Sequence, residues 1–212
     1  MHVQNAPSTP WNGDMSFPVI DSTAYVHPTA VLIGDVRIGK NVSVYPNVVL
    51  RADEGSPIII GGGSNIQDGV IMHCLKGSSI IVGKNCSIAH GAVIHGPCKI
   101  GYNSFVGFNT VVLKAELGKN NFISHCALVT GVTIKDNASV PAGKVVGEQG
   151  AADELLAVSE AEKQFSSEVV GVNEELRKAY TTIERINISH EHKMRARKVP
   201  HIEIIAENGE RA

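Results

Sequence analysis

Aliphatic residues recur along the chain with a period of six, and this pattern predicts the fold. Most steps are six residues long, but two are ten (Leu50 to Ile60 and Met72 to Val82) and two are five. The repeating positions, aliphatic apart from one methionine, are Val26, Leu32, Ile38, Val44, Leu50, Ile60, Ile66, Met72, Val82, Ile88, Ile94, Ile100, Val106, Val112, Leu117, Ile123, Val129, Ile134, Val140 and Val146. Ordinary strands would alternate with a period of two. A period of six predicts a solenoid in which each hexapeptide forms one flat face and three faces close one coil.

A second set of mostly small residues supports the same fold, four positions after the aliphatic ones. Its members are Val36, Val42, Val48, Val70, Cys86, Ala92, Cys98, Ser104, Thr110 and Ala127. Glycine or asparagine often fills the corners, as in IGKN and VGKN. The prediction is an all-β fold, a parallel β-helix of hexapeptide repeats forming a triangular prism. Its resemblance to known hexapeptide prisms implies a left-handed helix, contrary to the usual crossover rule.

The repeat divides the chain into four predicted segments. These are an N-terminal arm (1–20), the β-helix (21–148), C-terminal α-helices packing on the prism (149–186) and a basic tail (187–212). The tail is expected to be a solvated helix end or a disordered arm, with a partner-docking arm or a metal-scavenging HEH motif as the alternatives.

The C-terminal region is predicted to contain two helices. AADELLAVSEAEKQF is typical of one helix, and Ser166 or Ser167 is a candidate N-cap for another. The apolar residues of the second helix have helical spacing and are expected to lie along the prism. They are Val169, Val172, Leu176, Ala179, Tyr180 and Ile183.

Composition and charge exclude several classes of protein. The 212 residues carry a net charge of −2, which argues against a nucleic-acid interface over the whole chain. The chain has no run of about 18 apolar residues, so no membrane span is predicted. The first residues do not resemble a signal peptide. The four cysteines form no CxxC pair. They are expected to be buried in a reducing cytoplasm, with metal ligation or a disulfide as alternatives.

Three histidines, His73, His90 and His95, form a candidate metal site. Three histidines are the ligand set of a catalytic zinc that keeps one position open. Counting three faces per coil stacks Arg51, His73 and His95 on one outer face, with coils about 4.7–4.9 Å apart. His90 lies on the preceding face, over Asp68.

A homotrimer is predicted, because His90 is not expected to reach the other two histidines within one chain. Ligand nitrogens must all lie about 2.0–2.1 Å from the metal. A trimer of prisms would bring His90 of one subunit to His73 and His95 of its neighbour. Surface histidines without a metal are the alternative. Two of them in register, with arginine and aspartate in adjacent columns, favour a site.

Several motifs resemble those of the gamma-class carbonic anhydrases, including carboxysomal members and short archaeal forms. They are RADEG (51–55), NIQDG (65–69), MH (72–73) and SIAHGAVIHG (87–96). The resemblance extends over residues 18–180. It implies a homotrimeric left-handed β-helix with zinc, or in some cases Fe²⁺ or Co²⁺, at each interface. The implied metal ligands are His73, His90 and His95.

The resemblance also implies roles for polar residues around the metal. Arg51 matches an arginine that pairs across the interface with acidic residues and helps to hold bicarbonate. Asp53 and Asp68 match its acidic partners. Gln67 matches the side chain that orients metal-bound hydroxide, and Asn65 positions that glutamine.

Two further residues and one departure concern substrate and protons. Glu54 matches an acidic residue associated with proton transfer. Asn173, in GVNEEL, matches an asparagine that reaches back from the C-terminal helix and contacts CO2. Some members carry a proton-shuttle glutamate in an acidic loop after the first ligand, whereas here the loop CLKGSS (74–79) has no acid. Slow proton release, or reliance on buffer or Glu54, is therefore expected.

The predicted function is metal-dependent, reversible hydration of CO2 to bicarbonate and a proton by metal-bound hydroxide at trimer interfaces. The expected partners are CO2, bicarbonate and the other subunits, with no nucleic acid and no membrane. One alternative is a hexapeptide acyltransferase, which generally needs one catalytic histidine and a long loop. The other is a non-catalytic trimeric scaffold of the carboxysome type.

Overall fold

The computed structural model describes residues 2–13 and 15–195, with side chains up to residue 183. Its helices are α1 (Gln149–Asp153) and α2 (Glu160–Arg195). Its strands are β1 (His2–Gln4), β2 (Val19–Ile20), β3 (Tyr25–Val26), β4 (Val31–Gly34), β5 (Val36–Ile38), β6 (Ser43–Val44), β7 (Val49–Ala52), β8 (Ile58–Ile60), β9 (Asn65–Ile66), β10 (Ile71–His73), β11 (Ile80–Val82), β12 (Ser87–Ile88), β13 (Val93–His95), β14 (Cys98–Ile100), β15 (Phe105–Val106), β16 (Val111–Leu113), β17 (Glu116–Leu117), β18 (Phe122–Ile123), β19 (Leu128–Thr130), β20 (Thr133–Ile134), β21 (Ser139–Val140) and β22 (Val145–Val146).

The strands form three parallel sheets, one for each face of a solenoid. The first face runs β1-β4-β7-β10-β13-β16-β19-β22, the second β2-β5-β8-β11-β14-β17-β20, and the third β3-β6-β9-β12-β15-β18-β21. Each strand therefore pairs with the strand three elements later, one coil further along. This parallel β-solenoid matches the predicted β-helix. Two of its strands, β1 and β2, lie within residues 1–20, so strand pairing begins before the hexapeptide repeat.

The predicted aliphatic column is the core of the solenoid. All twenty repeating positions except Val26 are buried in one continuous cluster, and Val26 packs against that cluster partly buried. The small residues of the second set are also buried, including the polar Ser104 and Thr110. The period of six therefore identified the interior correctly, because the repeating aliphatic residue and the small residue of the second set both point inward.

Asparagines occupy many corners between faces in the left-handed backbone conformation. Asn103, Asn120 and Asn137 have φ values of 56°, 55° and 60°. Asparagine tolerates this conformation better than most residues do. Their side chains also link successive coils: Asn103 Nδ2 donates to Asn120 Oδ1 at 3.3 Å, and Asn120 Nδ2 to Asn137 Oδ1 at 3.0 Å.

The C-terminal helices differ from the prediction in where they begin and end. Helix α1 has five residues, and α2 begins at Glu160, so the predicted helix over AADELLAVSEAEKQF is interrupted. Ser159 N donates to Glu162 Oε2 at 2.7 Å, and Glu162 N donates to Ser159 Oγ at 3.3 Å, which is a capping box. Ser166 caps no helix; it lies inside α2 and donates to the carbonyl of Glu162.

The apolar stripe predicted to lie along the prism is only partly buried. Val169 packs against a small cluster that contains Phe105, Phe122 and Val158. Val172 and Leu176 are 55% and 41% exposed. The stripe therefore leaves an apolar surface beside the solenoid that a single chain does not cover.

The chain divides into two compact units, Met1–Arg177 and Lys178–Ala212. The first contains the solenoid, α1 and the start of α2, where Arg177 Nη1 donates to the Thr23 carbonyl at 3.0 Å. The described part of the second is the remainder of α2. Of the predicted basic tail, residues 196–212 lie outside the described residues. Among the helices described, none combines the length and hydrophobicity needed to cross a bilayer.

Three cysteines are expected to be unreactive in the folded protein. Burial raises the pKa of Cys74 to about 12 and of Cys86 to about 11, and burial also raises the pKa of Cys98. The thiolate is the reactive form. Iodoacetamide should therefore spare these three thiols in native protein and alkylate all four cysteines after unfolding. Peptide mass spectrometry would show this, and rapid native alkylation of Cys74 would contradict it.

Candidate metal centre

Strand register places Arg51, His73 and His95 in one row on the first face. His73 is the register partner of Arg51 on one side and of His95 on the other. The predicted stack is therefore confirmed. It depends on the two ten-residue steps, in which loops 53–57 and 74–79 bulge from the solenoid without shifting the pairing of the strands.

The facing nitrogens of His73 and His95 have a separation suited to a shared metal ion. Nδ1 of His73 lies 3.2 Å from Nε2 of His95. Two nitrogens bound to one tetrahedral zinc at about 2.0–2.1 Å lie about 3.3 Å apart. The same separation also allows a hydrogen bond when one facing nitrogen is protonated. The remaining nitrogens, His73 Nε2 and His95 Nδ1, are buried and form no hydrogen bond with the described residues, although carboxylate oxygens lie near His73 Nε2. The pair thus fits two ligands of a metal.

The surroundings of His73 favour its neutral form. Burial, and then the nearby positive charge of Arg51, lower its pKa, although Glu54 and Asp53 oppose the shift. A histidine must be neutral to bind a metal. Arg51 Nη1 contacts both carboxylate oxygens of Asp53, at 3.0 and 3.1 Å. Arg51 therefore pairs with an acidic residue of its own chain.

The short loop after His73 contacts the side chain of Glu54, and the sequence did not indicate this contact. The backbone N–H of Lys76 donates to Glu54 Oε2 at 2.8 Å. The other oxygen, Oε1, lies 3.3 Å from His73 Nε2, and Asp53 Oδ1 lies 3.6 Å from the same nitrogen. Metal-binding histidines usually donate their second nitrogen to such an acceptor. Glu54 therefore lies between a candidate ligand and the loop. We call Arg51, Asp53, Glu54, His73 and His95 the two-histidine half.

His90 lies at a corner after β12, in the column that the sequence predicted. Its Nδ1 lies 3.0 Å from Asp68 Oδ2, and its side chain is 55% exposed. The ring lies against Phe108, at 5.2 Å between centroids, and Phe108 stacks on His125 at 4.3 Å. His125 is therefore two coils away, as predicted. Within one chain Asp68 contacts His90. The expected pairing of Asp68 with Arg51 is a contact across an interface and stays a prediction.

Gln67 and Asn65 are buried beside His90 and in contact with each other. Gln67 Nε2 donates to Asn65 Oδ1 at 2.9 Å. Asn65 Nδ2 donates to Ser87 Oγ at 2.8 Å. The contact expected between the asparagine and the glutamine is present, and Ser87 extends it by one residue.

A cavity of about 350 Å³ brings Gln67, His90 and Asn173 together. Asn173 Nδ2 donates to the Val169 carbonyl at 2.8 Å within α2. The other residues lining the cavity are Phe105, Phe108, Phe165, Glu168, Val169 and Val172. An apolar cavity with a few polar groups suits a small uncharged molecule. We call Asn65, Gln67, Asp68, His90 and Asn173 the one-histidine half.

The described residues of a single chain contain no group of three or more His, Cys, Asp or Glu side chains arranged to hold a metal. Each of the ten predicted site residues thus belongs to one of the two halves. The two-histidine half contains two candidate metal ligands, and the one-histidine half contains the third. A larger cavity of about 600 Å³, between α2 and the asparagine corners, contains none of them.

Relatives of known name identify the family. The chain is 38% identical over 200 residues to a carbonic anhydrase of Methanosarcina thermophila, covering 84% of this chain and 81% of that protein. It is 40% identical over 185 residues to the carboxysome assembly protein CcmM of a Nostoc species, covering 82% of this chain and 33% of that protein. The chain belongs to the gamma-class carbonic anhydrase family. It spans about a third of the length of that CcmM relative.

Solved structures share the fold. A hexapeptide transferase family protein from Anaplasma phagocytophilum superposes with a TM-score of 0.67 at 29% identity, covering 79% of this chain and 95% of that one. A putative acetyltransferase from Bacillus cereus gives 0.70 at 25% identity, covering 79% and 94%. No protein-family model matches the chain.

Proposed function

We propose that the chain forms a homotrimer whose interfaces each bind one divalent metal ion, and that these centres hydrate CO2 reversibly. His73 and His95 of one subunit and His90 of its neighbour would hold the ion. Zinc suits three imidazoles best, and Fe²⁺ or Co²⁺ are the other candidates. The observation that carries the proposal is the 3.2 Å separation of the His73 and His95 nitrogens, with the third histidine exposed on another face.

Uncovered apolar surface beside both halves supports the trimer. Ile71, two residues before His73 in β10, is exposed, as are Phe108 and Val172 in the cavity wall and Leu176 on α2. Exposed apolar patches beside functional groups are typical of subunit interfaces. A cyclic trimer repeats one heterologous contact three times, so each interface would pair a two-histidine half with a one-histidine half.

The side chains have distinct roles in this proposal. A divalent metal lowers the pKa of a coordinated water to about 7, which makes a nucleophile available at neutral pH. Gln67 would accept a hydrogen bond from the reacting water and orient it toward CO2. Asn173 and the phenylalanines around it would hold CO2 in the apolar cavity. Arg51 offers a planar fork of donors that suits bicarbonate.

Glu54 is the group proposed to move the proton away. Its carboxylate lies beside His73 and is held at the other oxygen by the Lys76 N–H. The loop from Cys74 to Ser79 contains no acid, so Glu54 or a buffer must accept the proton there. We expect turnover to rise with buffer concentration. All four cysteines are free; Cys74, Cys86 and Cys98 are buried, whereas Cys126 is exposed, contrary to the expectation that all four are buried. Free thiols are in keeping with a cytoplasmic location.

A metal analysis combined with a stopped-flow CO2 hydration assay tests the function. We expect about one metal ion per subunit, and hydration that stops when the metal is removed and returns on adding zinc or, under reducing conditions, Fe²⁺. Metal binding without hydration would favour a scaffold related to CcmM. Acetyl transfer without metal would favour the transferase function of the structural neighbours.

Replacing Gln67 with alanine separates orientation from metal binding. Gln67 is not a proposed ligand, so metal content should be unchanged while the hydration rate falls about 10–100-fold, the usual cost of losing a supporting polar group. The matched control is Gln149→Ala, which removes the same side chain from α1, where Gln149 contacts Thr133 and Asp153. Equal hydration rates for both variants would contradict the role given to Gln67.

A further inference from the structure

A buried chain of hydrogen bonds connects Gln67 to a residue outside the predicted site. It runs from Gln67 Nε2 to Asn65 Oδ1 at 2.9 Å and from Asn65 Nδ2 to Ser87 Oγ at 2.8 Å. All three residues are at most 5% exposed. Bulk solvent therefore has little access to these side chains, and a buried polar group that loses its partner is destabilising.

The direction of these bonds decides which atom Gln67 presents to the cavity. A side-chain amide has one accepting oxygen and one donating nitrogen. Because the nitrogen of Gln67 is bonded to Asn65, its oxygen is left for the cavity. Asn65 can accept from Gln67 only while its own nitrogen points the other way, toward Ser87.

Ser87 has the surroundings to act as the acceptor at the end of this chain. Its hydroxyl oxygen accepts from Asn65, and the residue also lines the larger cavity, together with the polar residues Asn85, Asn103 and Ser104. A hydroxyl can donate and accept at once. Polar groups on the cavity side allow its hydrogen to turn there, which keeps a lone pair directed at Asn65.

We propose that Ser87 is a positioning residue for CO2 hydration, which fixes the amide of Asn65 and through it the orientation of Gln67. This inference rests on the proposed function. Ser87 is not placed to touch the metal or the substrate, so its effect is indirect. Loss of its hydroxyl leaves Asn65 Nδ2 without this partner and allows both amides to turn.

The column that contains Ser87 offers a matched control. Ser43, Asn65 and Ser87 are register partners in successive coils of the third face. Ser43 is 2% exposed. The amide of Asn65, however, bonds to Ser87 and Gln67. Ser43→Ala therefore removes the same hydroxyl, at similar burial and on the other side of Asn65, without breaking the chain.

The test compares Ser87→Ala, Ser87→Thr and Ser43→Ala with the wild type, in both the Gln67 and the Gln67→Ala backgrounds. We expect Ser87→Ala to lower kcat about tenfold, with KM and metal content unchanged. Ser87→Thr, which keeps the hydroxyl, should recover most of the rate, and Ser43→Ala should match the wild type. Because Ser87 acts through Gln67, Ser87→Ala should cause no further loss in the Gln67→Ala background.

Two results would overturn the inference: equal rates for Ser87→Ala and Ser43→Ala, or a full additional loss in the Gln67→Ala background. Failure of the proposed function would look different, because wild-type protein would then not hydrate CO2. In that case the inference about Ser87 is tested by hydrogen exchange of the Asn65 and Gln67 side-chain amides, followed by NMR in ¹⁵N-labelled protein. Faster exchange in Ser87→Ala than in Ser43→Ala supports the inference, and equal exchange rejects it.

Discussion

Replacing His90 with alanine is expected to abolish metal binding while leaving the solenoid folded. His90 is the only ligand that the one-histidine half is proposed to contribute, so its loss leaves two imidazoles per site where a catalytic zinc needs three protein ligands. Its side chain is 55% exposed and lies outside the core. Surface substitutions of this kind usually change stability by no more than about 0.5 kcal/mol.

The matched control for His90→Ala is His125→Ala. His125 lies in the same column and stacks on the same phenylalanine, but it is two coils away. We expect about one metal ion per subunit for His125→Ala and almost none for His90→Ala. Elemental analysis of both variants, with circular dichroism as the check on folding, makes the comparison. Stoichiometric metal in folded His90→Ala would show that the ligand assignment is wrong.

Replacing Ile94 with alanine is expected to have the largest effect on stability. Ile94 is fully buried and pairs in register with Met72 and Val112, so truncation leaves a cavity in the aliphatic column. Such changes cost about 2–5 kcal/mol. The backbone beside Ile94 carries His95, so weaker metal binding should accompany the loss. Urea denaturation of metal-free protein gives the change in the free energy of unfolding, separately from any change in metal binding.

Ile81 provides the comparison for Ile94. It lies on the second face, points outward and is 39% exposed. Ile81→Ala should therefore change the free energy of unfolding by less than about 1 kcal/mol. Similar losses for both variants would mean that the inward column does not carry the stability assigned to it.

The sequence predicted the solenoid and the histidine register because both follow from counting. The repeating aliphatic residue of each hexapeptide points inward together with a small residue, so the positions from Leu32 to Val146 lie in the core. Treating each ten-residue step as one face places His95 over His73. A loop can lengthen at a corner without changing the pairing that follows it.

Contacts that depend on loop paths and side-chain rotamers were not predictable in this way. The amide of Lys76 reaches Glu54 because of how the loop folds back. The carboxylate of Asp68 lies 3.0 Å from Nδ1 of His90 in the same chain. The helical spacing around Val172 marked an apolar stripe but could not specify what covers it. Each of these depends on three-dimensional neighbours that periodicity does not encode.

Mixing two inactive variants tests most directly whether subunits share the metal centre. His90→Ala retains an intact two-histidine half, and His95→Ala retains an intact one-histidine half. Each variant alone should bind almost no metal and hydrate almost no CO2. If equal amounts assemble at random into trimers, about a quarter of the interfaces pair two intact halves, and that share of wild-type metal and activity should return. No recovery in mixed trimers, or full metal binding by either variant alone, would contradict the shared centre.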